Sequence, residues 1–469
     1  MTEVQKRHRQ PSSVAIDLPP PLPAQPTWKN RLSVHGWLAA VLASGFALRV
    51  ALSPFGSFQG DAHVMRVWAV RLVTAPLSSF YGGQHVPRDH LPGDLWILWM
   101  VAHLYHLFSS SMRVDDLSFL LILKLVPAVA DLGIGAVLFV LVRDWRGAQA
   151  GLCAAGLFMF NPASIFLTAI WGQWDSVSML PALLAVWLML RSRLEWAFPL
   201  LTYAALIKPQ LALLAVPPVI ALGLKYLRPR SGRALRALSG APERWWRVVV
   251  AVMGSAVVFC AVLLPFNVGL AALPTRWNLL SRLSYAWNYR LWTTGSAFNL
   301  WNTPLDAKLQ PDTQQFWLGL SYNAWGAGLM LIALGLVIAL YLYRRRSQPD
   351  LLLWACLALT FAAFLLPTRG HERYLFPAVN FAAAQAATSA RYRLIYALLT
   401  LTFLANLYYI YVLFYPAPRP DFLYRPDLFK WAVSLVNVGL FGAVLLQPLF
   451  PTARQRSARQ AIGSQACRS

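Results

Sequence analysis

Negative charge is scarce in this sequence. Eighteen Asp and Glu stand against 41 Lys and Arg among 469 residues, and charged residues of either sign make up only 13%. A water-soluble domain carries about twice that share, so a soluble globule is excluded. Cysteine is scarce as well. Cys153, Cys260 and Cys356 lie inside apolar runs and Cys467 lies near the end, with no zinc or disulfide spacing. They read as small packing residues. There is no Walker-type glycine loop, no paired-histidine zinc motif and no ordered Ser, His and Asp set. A nucleotide-sugar enzyme of the soluble type is not indicated, and neither a metal nor another cofactor is expected.

Apolar residues, by contrast, make up 58% of the chain. They come in blocks of about 18–25, the length that crosses a bilayer core. β-barrel strands alternate apolar and polar residues, and these blocks do not. The expected fold class is an all-α polytopic membrane protein. The net charge of +23 then reflects basic cytoplasmic loops and contact with anionic membrane lipids. No nucleic-acid partner is expected, because the basic residues are scattered over loops without a reader motif.

The blocks predict about twelve transmembrane helices, near 35–53, 118–142, 149–169, 174–190, 196–207, 210–226, 247–265, 322–343, 351–367, 373–389, 393–415 and 428–449. The fifth and sixth are short and hinge at "KPQ" (208–210). Residues 1–33 read as a disordered, proline-rich cytoplasmic tail without a cleavable signal, and 34–266 as a membrane catalytic module with a first external loop at 54–117. A long external loop follows at 267–321, then C-terminal membrane helices over 322–449 and a basic cytoplasmic tail at 450–469.

Basic clusters set the orientation. They include Lys6, Arg7 and Arg9, "RDWRG" (143–147), "RSR" (191–193), the 225–247 stretch and "RRR" (344–346). With twelve spans all of them fall on one side, the cytoplasmic one, together with both termini. The segment 91–112 is apolar enough to span, but a span there would move every later basic loop outside. It is therefore expected to be a re-entrant or interfacial helix, with Trp96, Trp99, His103 and His106 on one face. "DAHVMRVWAVRLV" (61–73) is a second such helix, with Met65, Trp68 and Leu72 as its apolar stripe and Arg66 mostly off it.

The polar motifs then gather on the external face. Asp61 follows the first span; it is a solvated loop charge, an N-cap, since Asp at a helix start commonly caps, or a catalytic base. In "WGQWD" (171–175), Trp171, Gln173 and Asp175 are either an interfacial turn or a sugar contact made of an aromatic face, an amide and a carboxylate. Lys208 is a snorkelling lysine or a cation for a lipid-linked phosphate. In "HERYLFP" (371–377), Glu372 suits a helix N-terminus and Arg373 does not, which points to an anionic partner beside His371. Asn299 in "SAFNLW" is a polar contact or loop packing. Lys124 and Asp131, seven apart in the second span, are too distant along the helix to pair and could tie spans together.

Taken in order, Gly60–Asp61, "LPG" (91–93), "KLVPAVADL" (124–132), "NP…WGQWDS", "IKPQ", "SAFNLW" and "HERYLFP" resemble the GT-C superfamily of integral-membrane glycosyltransferases over about residues 35–390. The likeness is to the proteins grouped with GPI-type mannosyltransferases and dolichol-pathway glucosyltransferases. It implies a GT-C-like fold, a polyprenyl-phosphate sugar donor used on the outer face, and Asp61 as general base. It also implies membrane-surface helices in the first external loop. Ala62 and His63 follow Asp61 where many relatives carry a second acid or an aromatic.

The expected function is an inverting glycosyltransferase that moves a hexose, mannose first, to a lipid- or protein-linked glycan at the plasma membrane. Asp61 is its base, and Lys208 and Arg373 hold the donor phosphate. Trp171, Gln173, Asp175, Asn299, His371 and Glu372 contact sugar or acceptor. A transporter or lipid flippase is the alternative; internal halves, its usual sign, are not evident.

Overall fold

The computed structural model describes residues 28–82, 90–109, 113, 116–220, 242–269, 277–288, 291–305, 310–344, 349–414 and 426–449. The chain is nearly all α-helical. Both tails, most of the basic 225–247 stretch, "RRR" beyond Arg344 and most of the 416–427 loop lie outside these residues.

A helix stands at each of the twelve expected segments, yet length divides them. Among the described residues six helices are long and apolar enough to cross a membrane, or seven if the pair Ala148–Met159 and Pro162–Trp171, bent by 46°, counts as one. The count of twelve is not reached by length. Asp175–Leu190, Leu194–Ile207 and Pro349–Leu365 are at most 17 residues long. At 1.5 Å per residue they reach roughly 26 Å at best, short of a hydrocarbon core of about 30 Å.

Asp175–Leu190, Pro349–Leu365 and Phe376–Ala386 form the centre. Every residue of Phe376–Ala386 is buried, as is nearly all of Pro349–Leu365, because a helix that is apolar all round has no face to leave in water or lipid headgroup. The long helices Trp28–Leu52 (α1), Pro242–Leu263 and Tyr322–Arg344 stand outside. They expose Trp37, Val252, Val257, Leu331 and Ile332, the pattern of a lipid-facing surface.

A second apolar core lies under the first external loop. There Gln59–Thr74 (α2) buries Trp68, Ala69 and Leu72, and Pro92–His106 (α3) buries Leu95, Leu98 and Ala102. α3 spans 15 residues, roughly 22 Å by helical rise, short of a hydrocarbon core of about 30 Å. Its Met100, Leu104, Leu107 and Phe108 rim stays exposed, which suits an interfacial helix. Trp96 and Trp99 meet edge to face at 5.8 Å, and the Trp99 and His103 rings lie 4.4 Å apart. Arg66 departs from expectation: it is buried, not off the stripe. Lying three residues before Ala69, it shares that packed face.

α3 is pressed against Leu194–Ile207 (α8) at Gly93. A Cβ there would lie 2.6 Å from the Leu206 carbonyl oxygen and from Ile207 Cγ1, and the Tyr203 hydroxyl donates to the Gly93 carbonyl at 3.0 Å. Gly93→Ala is expected to destabilise the protein by about 1–3 kcal/mol, the usual cost of overpacking. Gly36→Ala, at a site with nothing within 4 Å, should be neutral. Thermal unfolding of both variants in detergent checks this, and equal midpoints would count against a tight α3–α8 seam.

Leu117–Arg146 (α4) carries Lys124 and Asp131, both buried. They do tie segments together, each with its own partners. Asp131 accepts from Arg49 Nε of α1 at 2.6 Å and from the hydroxyl of Ser176. Lys124 reaches backbone carbonyls of two other segments. The expected long loop at 267–321 contains structure of its own: a helix at Leu279–Asn288 and a β-hairpin pairing Gln315–Trp317 with Leu320–Ser321.

Candidate active site

The two cores meet at the turn between Pro162–Trp171 (α6) and Asp175–Leu190 (α7). Trp171 packs in the bundle core and Trp174 in the core beneath the surface helices. Gly172 makes the turn possible. Its φ of +89° is left-handed, and its N–H caps the Leu167 carbonyl at 3.1 Å; a side chain there is strained.

Asp61 lies in the first turn of α2, inside the helix. Phe58 is the N-cap residue and no side chain caps, so the capping reading of Asp61 gives way. Its carboxylate faces the turn instead. Oδ2 accepts from Gln173 Nε2 and, at 3.4 Å, from Trp171 Nε1, and Arg373 Nη1 stands 3.8 Å away. Among the described residues no donor reaches Oδ1. The side chain is 41% exposed, so one oxygen is pinned and the other is open.

Arg373 follows Glu372 in the short 3-10 turn Glu372–Leu375. Besides Asp61, its guanidinium faces Asp175 Oδ2 at 4.0 Å and Glu372 Oε1 at 3.4 Å. All three contacts exceed the 2.7–2.9 Å of a strong charged hydrogen bond. The arginine is thus surrounded by acids yet locked to none. Asp175 is buried, with Oδ1 taking the Lys208 ammonium and Oδ2 unbonded. Lys208 ends α8 just before Pro209. Burial pushes its ammonium down and the Asp175 carboxylate pulls it back up.

Asp61, Arg373, Asp175 and Lys208 therefore form one connected row from four distant stretches of chain. Gln173 and Glu372 belong to it. Glu372 is buried and accepts from the Ser296 hydroxyl, which joins "HERYLFP" to "SAFNLW". His371 sits at the edge, with Nδ1 4.0 Å from Glu372 Oε2 and its ring edge-on to Tyr374.

Two expected ligand contacts are placed otherwise. Trp171 is 2% exposed. Phe58 stacks on its ring at 4.7 Å and Phe166 and Tyr411 close around it, so no aromatic face is open to a sugar. Its indole N–H serves Asp61 instead. Asn299 is fully buried; it caps the 3-10 turn Leu300–Asn302 by accepting from the Trp301 N–H and donates to the Pro367 carbonyl. It packs the loop under the row.

Sequence reasoning missed three residues. Asp94 is buried beside His90, Nδ1 to Oδ2 2.5 Å, and its field acts at Lys208; the signal was an acid directly after "LPG". Arg369 and Asp312 fasten the 367–371 loop through paired contacts of 2.5 and 3.0 Å. Positive φ at Arg369 has no local sequence mark.

Among the described residues no cluster of three or more His, Cys, Asp or Glu is placed to hold a metal ion. The acids of the row surround a guanidinium. An open groove along Leu280, Arg282, Tyr285 and Asn288 shares no lining residue with the row. No family model matches this chain, and no curated protein sequence matches it.

Proposed function

We propose that the chain is an inverting glycosyltransferase. It moves a hexose, mannose the first candidate, from a polyprenyl-phosphate sugar to a lipid- or protein-linked glycan on the outer face of the cell membrane. The observation that carries this reading is the asymmetric hold on Asp61: Gln173 and Trp171 pin Oδ2, and Oδ1 is left for a proton. A base so oriented takes the acceptor hydroxyl proton as the new bond to the anomeric carbon forms. The bond to phosphate breaks on the opposite face, and the leaving phosphate departs with the electron pair. Arg373, loosely held, turns its donors to that phosphate. Lys208 keeps Asp175 in place and adds positive charge.

In this reading the short central helices complete about twelve crossings by local thinning of the bilayer and snorkelling of their flanking residues, in a GT-C-like arrangement. Both termini are cytoplasmic, and the row opens outward.

The test is an assay on membranes containing the protein, with a panel of polyprenyl-phosphate sugars and a lipid extract. One donor should add a single hexose to an acceptor, read as a mass shift. A transporter or flippase is the second reading, favoured by the 46° break between α5 (Ala148–Met159) and α6 together with charges buried mid-helix. Rapid glycolipid flipping in proteoliposomes, with no transfer from any donor, would put that reading in place of the enzyme.

A further inference from the structure

Lys124 is 2% exposed, and no carboxylate pairs with it among the described residues. Its ammonium donates instead to four backbone carbonyls: Ser53 at 2.7 Å, Gly56, Ala169 at 3.0 Å and Ile170 at 3.1 Å. Two come from the loop that leaves α1 and leads to Asp61. Two come from the last turn of α6, which leads to Gln173. A helix C-terminus leaves carbonyls unpaired and carries a partial negative charge. Here the end of α6 and the chain just past α1 present theirs to one point. An ammonium brings three donors to that point.

The remaining groups fit around it. The Phe58 N–H takes the Trp171 carbonyl at 3.1 Å, joining the same two segments. Gly172 lies against the lysine stem, where an added Cβ would meet Cε at 3.2 Å. Gly56, at φ +130°, turns its carbonyl inward while Tyr411 closes the space behind it.

We propose that these four carbonyls form a monovalent-cation site filled by the chain's own lysine, and that Lys124 is a positioning residue that holds Asp61 against Gln173. The second half rests on the glycosyltransferase reading; the site itself does not. Removing the side chain should turn the position into a receptor for a small alkylammonium ion.

The experiment uses the full chain in detergent. Lys124→Met, similar in length but uncharged, is expected to lower the unfolding midpoint by about 5 °C, since several buried carbonyls lose their donor. Lys124→Ala should fall similarly and recover in n-propylammonium chloride, which replaces the missing carbons and charge. Tetramethylammonium chloride, which has no N–H, should not restore it. A Lys124→Met midpoint equal to the unchanged protein, or a Lys124→Ala midpoint equal in the two salts, overturns the site.

Transfer kinetics separate the two halves. Lys124→Met should lower kcat about tenfold with donor KM unchanged, the mark of a misaligned base. If kcat is unchanged, positioning fails and the transfer reading stands. If the unchanged protein transfers no sugar, the transfer reading and the positioning role fall together, and the salt series still decides the site.

Discussion

On the proposed glycosyltransferase reading, Asp61→Asn, present in membranes at the level of the unchanged protein, is expected to transfer hexose from a polyprenyl-phosphate donor about 10²–10⁴-fold more slowly. Asparagine keeps the size of the side chain and an oxygen for Gln173, but it accepts no proton. The side chain is 41% exposed and caps nothing, so the unfolding midpoint should hold. Gln173→Leu removes the pin and leaves the base, and a smaller loss is expected, about tenfold. Radiolabelled sugar transfer at saturating donor measures both. An Asp61→Asn protein that works at full rate removes Asp61 from the chemistry.

The second large effect is on stability. Arg49 and Asp131 are both fully buried, 2.6 Å apart, and the arginine also donates to the Gly45 and Met159 carbonyls at 3.0 and 2.7 Å. Arg49→Met leaves a buried carboxylate alone, and Asp131→Leu leaves a buried guanidinium alone. Each should cost about 3–5 kcal/mol. The double variant should recover much of that, because an apolar pair leaves no charge stranded. Denaturant unfolding of the four proteins in one detergent gives the coupling. Single losses below about 1 kcal/mol, or a double variant as unstable as the sum of the singles, would sink this account.

Much of this was legible because it is local. Apolar blocks mark the helices, and "KPQ" marks the end of α8. The row was legible only as a list of polar motifs on one face. Their connection through Arg373 depends on how helices pack, which residue spacing does not encode. Asp131 shows the limit: read beside Lys124 seven positions on, it pairs with Arg49, 82 positions away. Trp171 shows another. An interfacial tryptophan looks the same in sequence whether its face is open or covered by Phe58. Helix length supports fewer crossings than hydropathy marks, because the central helices are apolar for protein contact and shorter than a hydrocarbon core.

The row also has a timetable. Asp61 leaves the ribosome before Arg373, which follows about 310 residues later. At bacterial and eukaryotic synthesis speeds that gap lasts roughly 15–60 s. During it the acid meets the Gln173 turn and the Asp175–Lys208 pair forms, but the Arg373 guanidinium that joins them does not yet exist. On the proposed transfer reading, a nascent chain already inserted in the membrane therefore has its base without its phosphate-facing arginine, and stays inert until Arg373 has been laid down. Under that reading competence arrives with Arg373, so the order of synthesis itself would guard the donor.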